Sequence, residues 1–175
     1  ISISGLCRLA PMASISNTPF RLICKEQGSS LTTSEEISAK ALVFNSQKTF
    51  DLASYLPEEK PIAMQIFGSE PETLAEASRI LVDRGADIID LNMGCPVQKI
   101  VKTGAGAALM RDEKKAAAIF RAMVKAAGVP VTIKIRGGWD AHHINAPEIA
   151  KIAEAEGIAS VAAHPRTRSQ QYSGK

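Results

Sequence analysis

Asn92-Met93-Gly94-Cys95-Pro96 sets a cysteine directly after an apolar run. The flanking glycine and proline end a strand there and leave the thiol at its mouth. An ordinary thiol has a pKa of about 8.5, is mostly protonated at neutral pH and can serve as a general acid. A lone cysteine is as often a small buried hydrophobe, so position alone leaves both roles open. Lys134 lies in Thr132-Ile133-Lys134-Ile135-Arg136, where period-2 alternation puts Thr132, Lys134 and Arg136 on one face. A lysine inside a sheet is costly unless it meets an anion or a ligand. It can form a Schiff base, steady negative charge on a reduced cofactor, or simply reach solvent from the strand end. Gln65 follows apolar Ile62 and Ala63, and a buried amide there needs partners from a ligand edge or from neighbouring backbone.

Other candidates are weaker. His142-His143 resembles a metal pair, but adjacent side chains on an extended segment point apart and no third ligand is in view. Gly104-Ala105-Gly106 lacks the Lys-Ser/Thr of a phosphate loop. Lys99, Lys102 and Arg111 can meet nucleic-acid phosphates or form a solvated rim. Paired carboxylates for glycoside hydrolysis and an H-E-x-x-H zinc pattern are absent from these segments.

The elements that must position these residues alternate. Short apolar runs occupy Cys7–Ala13, Leu31–Ser34, Ile62–Phe67, Ile88–Met93, Val131–Ile135 and Ser160–Ala163. Helix-period segments lie between them. Asp112 caps one with apolar positions Ala116, Ile119, Phe120, Met123, Val124 and Ala127, ended by Gly128 and Pro130. Ser69 and Glu72 have capping-box spacing. Thr18-Pro19 and Asn145 with Pro147 start two more, closed by Gly28 and Gly157. This β-α order predicts a parallel sheet, either doubly wound or a TIM (β/α)₈ barrel. No G-x-G-x-x-G follows the first strand, and polar residues gather at the strand ends, so the barrel is expected. Six units in 175 residues fall short of a typical ~250, so strands seven and eight are expected to be missing.

Hydrophobic residues make up 45% and charged residues 22%, an ordinary globular balance that excludes a disordered chain. No apolar run approaches the ~18 residues of a membrane span, and the first residues carry no signal-peptide pattern. A start at Ile1 suggests a native start further upstream. Three widely spaced cysteines make neither a disulfide framework nor a metal motif, which points to a reducing cytosol or matrix. The net charge of +3 tolerates a nucleic-acid partner without demanding one.

Longer words then become specific. Ala10-Pro11-Met12-Ala13 with Asn17-Thr18-Pro19-Phe20-Arg21 resembles the first-strand signature of the tRNA-dihydrouridine synthases. Ser34-Glu35 with Ser38-Ala39-Lys40, the whole of Gly85 to Pro96, Gly104 to Leu109, Lys134-Ile135-Arg136 with Gly138-Trp139, and His164 with Arg166-Thr167-Arg168 follow in family order. The resemblance is to bacterial-type members and implies an FMN-dependent, cytoplasmic enzyme acting on tRNA. Pro11, Met12 and Ala13 would line FMN, Gln65 would bond its ring, Lys134 would sit at its N1/O2 side, and His164 would also touch it. Asn92 would help hold a flipped uracil, with Arg166 also on the substrate side. NADPH or NADH would reduce FMN, a hydride would pass to uracil C6, and Cys95 would protonate C5. Membrane and metal partners are not implied. Ser14 stands where glycine is usual, Glu36 where methionine is common, and Pro165 where a glycine follows the histidine. The family's remaining FMN contacts and its helical tRNA-binding domain would lie beyond Lys175, which predicts an inactive or marginal chain. Rival readings are an FMN barrel acting on a free pyrimidine, a Schiff-base barrel using Lys134, and a protein that only binds RNA.

Overall fold

The computed structural model describes residues 3–174. Six strands form one parallel sheet: β1 (Thr32–Thr33), β2 (Ile37–Ser38), β3 (Ile62–Phe67), β4 (Ile88–Met93), β5 (Val131–Arg136) and β6 (Ser160–His164). Its order is β1-β3-β4-β5-β6, with β2 also paired to β3. β1 and β2 are therefore two pieces of one interrupted strand on the same edge of β3. The result is a parallel half-barrel sheet, with its helices on one side. The four long strands fall where the apolar runs predict them, and β5 and β6 each extend one residue further.

Alternation sorts the strands into two chemically different faces. Ile62, Met64 and Ile66 of β3, Ile89, Leu91 and Met93 of β4, and Val131, Ile133 and Ile135 of β5 are all buried on one face. They join a single apolar core with Leu74, Ala77 and Leu81 of α4 (Pro71–Asp83) and Ile119, Phe120 and Met123 of α6 (Glu113–Ala127). The other face carries Gln65, Asp90, Asn92, Thr132, Lys134, Arg136, Ser160 and His164, and it is concave. Among the described residues, α4 and α6 pack on the apolar face, and the polar face borders a cavity.

Caps explain where α6 begins and ends. The Asp112 carboxylate accepts from the Lys115 amide at 2.9 Å, and Gly128 closes the helix at φ 67°, a left-handed position that suits glycine. In α1 (Thr18–Glu26) the cap is Asn17, whose side chain accepts from the Phe20 amide. One expected feature is corrected, and the helix expected from Asn145 and Pro147 forms with an unexpected side-chain partner. The Ser69–Glu72 capping box does not form: α4 starts after Glu70, and the Ser69 hydroxyl donates to that carboxylate instead. At α7 (Ala146–Ala155), Asn145 is the N-cap residue, but its side chain bonds the Met110 carbonyl and Glu113 rather than the helix.

The first expected strand, Cys7–Ala13, is also corrected. It contributes one parallel bridge, Arg8 to Leu31, and then bends away at Met12, whose carbonyl accepts from the amides of Ile15 and Ser16. That turn forces Ser14 to φ 63°, which explains why a glycine suits the position. A buried ion pair anchors the next helix. Arg21 of α1 pairs with Glu59, both essentially inaccessible, and also donates to the carbonyls of Ser16 and Ser54. Glu59 in turn takes the Leu56 amide, and its carbonyl takes the Thr32 hydroxyl, so α1, β1 and the approach to β3 share one junction.

Glu59→Ala strands the Arg21 cation in the interior and is expected to cost about 3–5 kcal/mol, measured by urea unfolding. Ser14→Gly relieves a left-handed side chain and is expected to raise stability by about 0.5–1 kcal/mol in the same assay, since the strain exceeds the extra chain entropy.

Candidate active site

The concave face holds a cavity of about 450 Å³. Arg8 to Pro11 wall one side, Thr33 and Ala63 the next, and Asp90, Thr132, Lys134, Ser160 and Ala162 the floor and far side. Register explains the floor. Gln65 pairs with Asp90, Asp90 with Thr132, and Thr132 with Ser160, so one polar row crosses four strands. One step toward the strand ends, Asn92 pairs with Lys134, and beyond that Arg136 pairs with His164.

Each buried polar group in the row finds a partner, as burial requires. The Asp90 carboxylate accepts from the Gln65 amide nitrogen at 2.6 Å and from the Thr132 hydroxyl at 2.5 Å. Burial raises the Asp90 pKa above the usual carboxylate range, opposed by those two bonds and by the charge of Lys134. Lys134 shifts the other way. Burial lowers its pKa, partly offset by Asp90 and reinforced by Arg136. No carboxylate lies within ion-pair distance of the Lys134 ammonium among the described residues. A desolvated ammonium facing a cavity is suited to an anionic ligand atom.

Asn92 organises the strand end. Its carbonyl oxygen accepts the backbone N–H groups of Gly94 and Cys95 at 3.1 and 2.9 Å. Its amide donates to the Gln65 carbonyl oxygen and to Glu36, both at 2.9 Å. Cys95 is half-buried, with Sγ 3.8 Å from the Glu36 carboxylate. Burial and the nearby Glu36 charge push its pKa up to about 11, so the sulfur is a neutral thiol at physiological pH. From below, the Ala107 amide donates to the Cys95 carbonyl at 3.1 Å, and Gly106 sits so close that a Cβ there would meet that carbonyl at 2.9 Å. Gly106 has φ 61°, a second reason for glycine.

The expected site residues are brought together unevenly. Pro11 and Lys134 line the cavity. Met12 and Ala13 lie in the adjoining turn, where Met12 is tied to Ser16. Gln65 is fully buried, and side chains rather than backbone satisfy its amide. His164 ends β6, and its Nδ1 accepts the Arg166 amide at 3.2 Å; burial and then the nearby Arg136, Lys134 and Arg166 charges lower its pKa. Pro165 needs no N–H in this turn, because the bond back to His164 comes from residue 166. The Arg166 guanidinium reaches the Gly174 carbonyl at 3.0 Å. His143 pairs with Asp140 and His142 is exposed, and no group of three or more potential metal ligands occurs among the described residues. Asp90 escapes the sequence reading: in Ile88-Ile89-Asp90-Leu91-Asn92 its i, i+2 relation to Asn92 is the available signal. Glu36 stands out in the sequence only as a departure, and its contact with Cys95 spans 59 positions.

A thiol past the end of β4, a desolvated lysine in β5 and a histidine at the end of β6 thus lie on neighbouring strands of one parallel α/β sheet. Comparison with known proteins makes this specific. The family model described as Dihydrouridine synthase (Dus) matches residues 8–175, and the chain belongs to that family. It is 49% identical over 173 residues to "tRNA-dihydrouridine synthase B" of Xanthomonas axonopodis pv. citri (strain 306), covering 99% of this chain and 52% of the relative. It is 46% identical to the "Probable tRNA-dihydrouridine synthase" of Rickettsia bellii (strain RML369-C), covering 99% and 54%, and 44% identical to the synthase B of Pseudomonas aeruginosa, covering 95% and 50%. The chain thus spans about half the length of these curated relatives. Its backbone also follows the carboxyl transferase domain of Rhizobium etli pyruvate carboxylase, solved with pyruvate, at a TM-score of 0.51 and 18% identity over 88% of this chain and 24% of that one; this is a likeness of fold alone.

Asn92→Ala leaves two N–H groups and two acceptors at the site without their partner and is expected to cost about 1–3 kcal/mol in urea unfolding. Asn92→Asp keeps the acceptor but sets an anion against Glu36. Its deficit is expected to be larger at pH 7 and to shrink as pH falls, because burial has already raised the Glu36 pKa and that carboxyl protonates early. Unfolding curves at the two pH values check the sign.

Proposed function

We propose that this chain is the FMN-binding portion of an oxidoreductase that reduces the C5=C6 bond of uridines in tRNA to dihydrouridine, with NADPH or NADH as reductant. The observation that carries the reading is a half-buried thiol just past the end of β4, three residues after Asn92, which pairs in register with a lysine that faces the cavity without an ion-pair partner among the described residues. Family membership supplies the reaction class. The half-barrel sheet is read as six units of a TIM (β/α)₈ barrel, residues 1–175 forming part of that catalytic domain.

The donor set fits a flavin mononucleotide. A cavity of about 450 Å³ lies within the usual range for cofactor sites, its walls are apolar at Pro11, Leu31 and Ala63, and its one free ammonium belongs to Lys134 among the described residues. Reduced FMN, when bound, supplies the hydride. Lys134 and Pro11, which line the cavity, would hold the group there, with Met12 and Ala13 of the adjoining turn and His164 at the end of β6 bordering it. Gln65, expected to bond the ring, is fully buried and does not line the cavity, and Asp90 and Asn92 fix its plane, so it supports the site from behind. Cys95 donates its thiol proton to uracil C5 and Arg166 orients the base, whereas Asn92, expected on the substrate side, spends its amide on the protein and holds the turn that carries Cys95. Such a base must be extruded from the tRNA to reach a mouth of this kind. Lys99, Lys102 and Arg111, all exposed beside Cys95 in sequence, offer contacts to phosphates. A cytoplasmic setting follows from a tRNA substrate, and no helix is long and apolar enough to cross a membrane among the described residues.

The test combines the full-length protein, of which this chain spans about half by the measure of its relatives, with FMN, NADPH and unmodified tRNA. Flavin bands near about 375 and 450 nm are expected on binding. Cys95→Ala is expected to keep those bands and NADPH oxidation while dihydrouridine formation falls by about 10²–10⁴-fold, the range for losing a general acid. Absence of FMN uptake overturns the cofactor assignment. Reduction of a free pyrimidine but not of tRNA overturns the substrate.

A further inference from the structure

Glu36 lies in the short link between β1 and β2, half-buried, and its two carboxylate oxygens divide their work. Oε1 lies 3.8 Å from Cys95 Sγ, and Oε2 accepts the Asn92 amide at 2.9 Å. The same Asn92 side chain holds the Cys95 N–H through its other end. Glu36 therefore reaches the cysteine twice, once at sulfur and once through the residue that fixes its backbone. No cation pairs with Glu36 among the described residues. With Oε2 already bonded by Asn92, Oε1 is the half of the half-buried carboxylate that faces the thiol, and Cys95 is the donor nearest to it.

We propose that Glu36 is a positioning residue for Cys95: at rest its carboxylate accepts the thiol hydrogen and keeps the sulfur protonated, and the S–H turns about the Cβ–Sγ bond from Glu36 to C5 when a base is bound. The inference rests on the reading of Cys95 as the proton donor. Two charged groups face the sulfur, Glu36 from the β1–β2 link and Arg136 from the end of β5, whose guanidinium donates to the Gly94 carbonyl at 2.7 Å. They act oppositely. Glu36 opposes a thiolate by like charge, Arg136 favours one, and burial sides with Glu36. When the S–H bond breaks in favour of a C–H bond at C5, the electron pair stays on sulfur. The resulting thiolate then faces the Glu36 anion, which favours recovery of a proton from water and restores the acid.

This arrangement separates Glu36 from the opposite kind of partner, a base that would activate the cysteine as a nucleophile. The two roles predict opposite signs in one measurement that needs neither flavin nor tRNA. With Cys7 and Cys24 changed to serine, alkylation of Cys95 by iodoacetamide is followed by mass spectrometry between pH 7 and pH 11. Glu36→Gln keeps the shape and removes the charge, Glu36→Met installs the residue common in the family, and Glu36→Asp keeps the charge. The Gln and Met variants are expected to alkylate at least about threefold faster near pH 8.5, as loss of one adjacent like charge raises the thiolate fraction. Glu36→Asp is expected to stay closer to the parent than either. Unchanged or slower alkylation in both neutral variants, with the parent's circular dichroism spectrum, overturns the proposal. Should one neutral variant lose that spectrum, the other decides. Because the readout is the thiol itself, loss of dihydrouridine formation in Cys95→Ala tests the function separately. An unshifted thiol sinks Glu36's role even where that activity stands.

Discussion

The site depends on one primary amide. Asn92, near the end of β4, has its carbonyl oxygen shared by two successive N–H groups and its nitrogen shared by two acceptors, one on β3 and one in the β1–β2 link. Any other side chain of similar size lacks either the acceptor or the pair of donors. The turn that carries Cys95, the orientation of Gln65 and the placement of Glu36 are thereby coupled, so none of the three can move without breaking a bond to the same residue. Local dielectric is low there, and a satisfied network is correspondingly stiff.

That stiffness rests on how the sheet divides its labour. β3, β4 and β5 give their apolar alternates to α4 and α6, and their polar alternates to the cavity. Parallel sheets with helices on both faces read as continuous apolar runs, whereas these strands carry Gln65, Asp90, Asn92, Lys134 and Arg136 inside such runs. The polar row is an intrinsic cost to folding, since desolvation works against the charged forms of both Asp90 and Lys134. A one-residue slip in register would bury that row under the helices, so the same residues that cost stability also specify the pairing.

Much of this is legible in the sequence. The four long strands follow from β-rich runs bounded by Gly and Pro, α6 from its stripe and its Asp112 and Gly128 caps, and Lys134's direction from alternation within five residues. Cys95 is legible as a strand-end thiol but not its acidity, which depends on burial and on Glu36. The failures share a cause. The Ser69–Glu72 spacing is right, yet Ser69 finds a nearer carboxylate one residue on. The first strand looks continuous, yet the Met12 turn consumes the bonds its second half would have made. Gln65, Asp90 and Asn92 meet only because β3 and β4 are adjacent in a particular register, and no local pattern encodes which strand lies beside which.

The close approach of Gly106 to the Cys95 carbonyl has an architectural consequence. The chain leaves the cysteine, travels through α5 (Gln98–Val101) and returns to touch the same peptide, with Ala107 donating and no room for a side chain at Gly106. The excursion over 96–105 is thus a closed detour pinned at both ends. Changes of length within it alter closure entropy only weakly. The detour can therefore change length at little entropic cost so long as Val97, whose backbone N–H bonds the Cys95 sulfur, keeps its place beside the first pin.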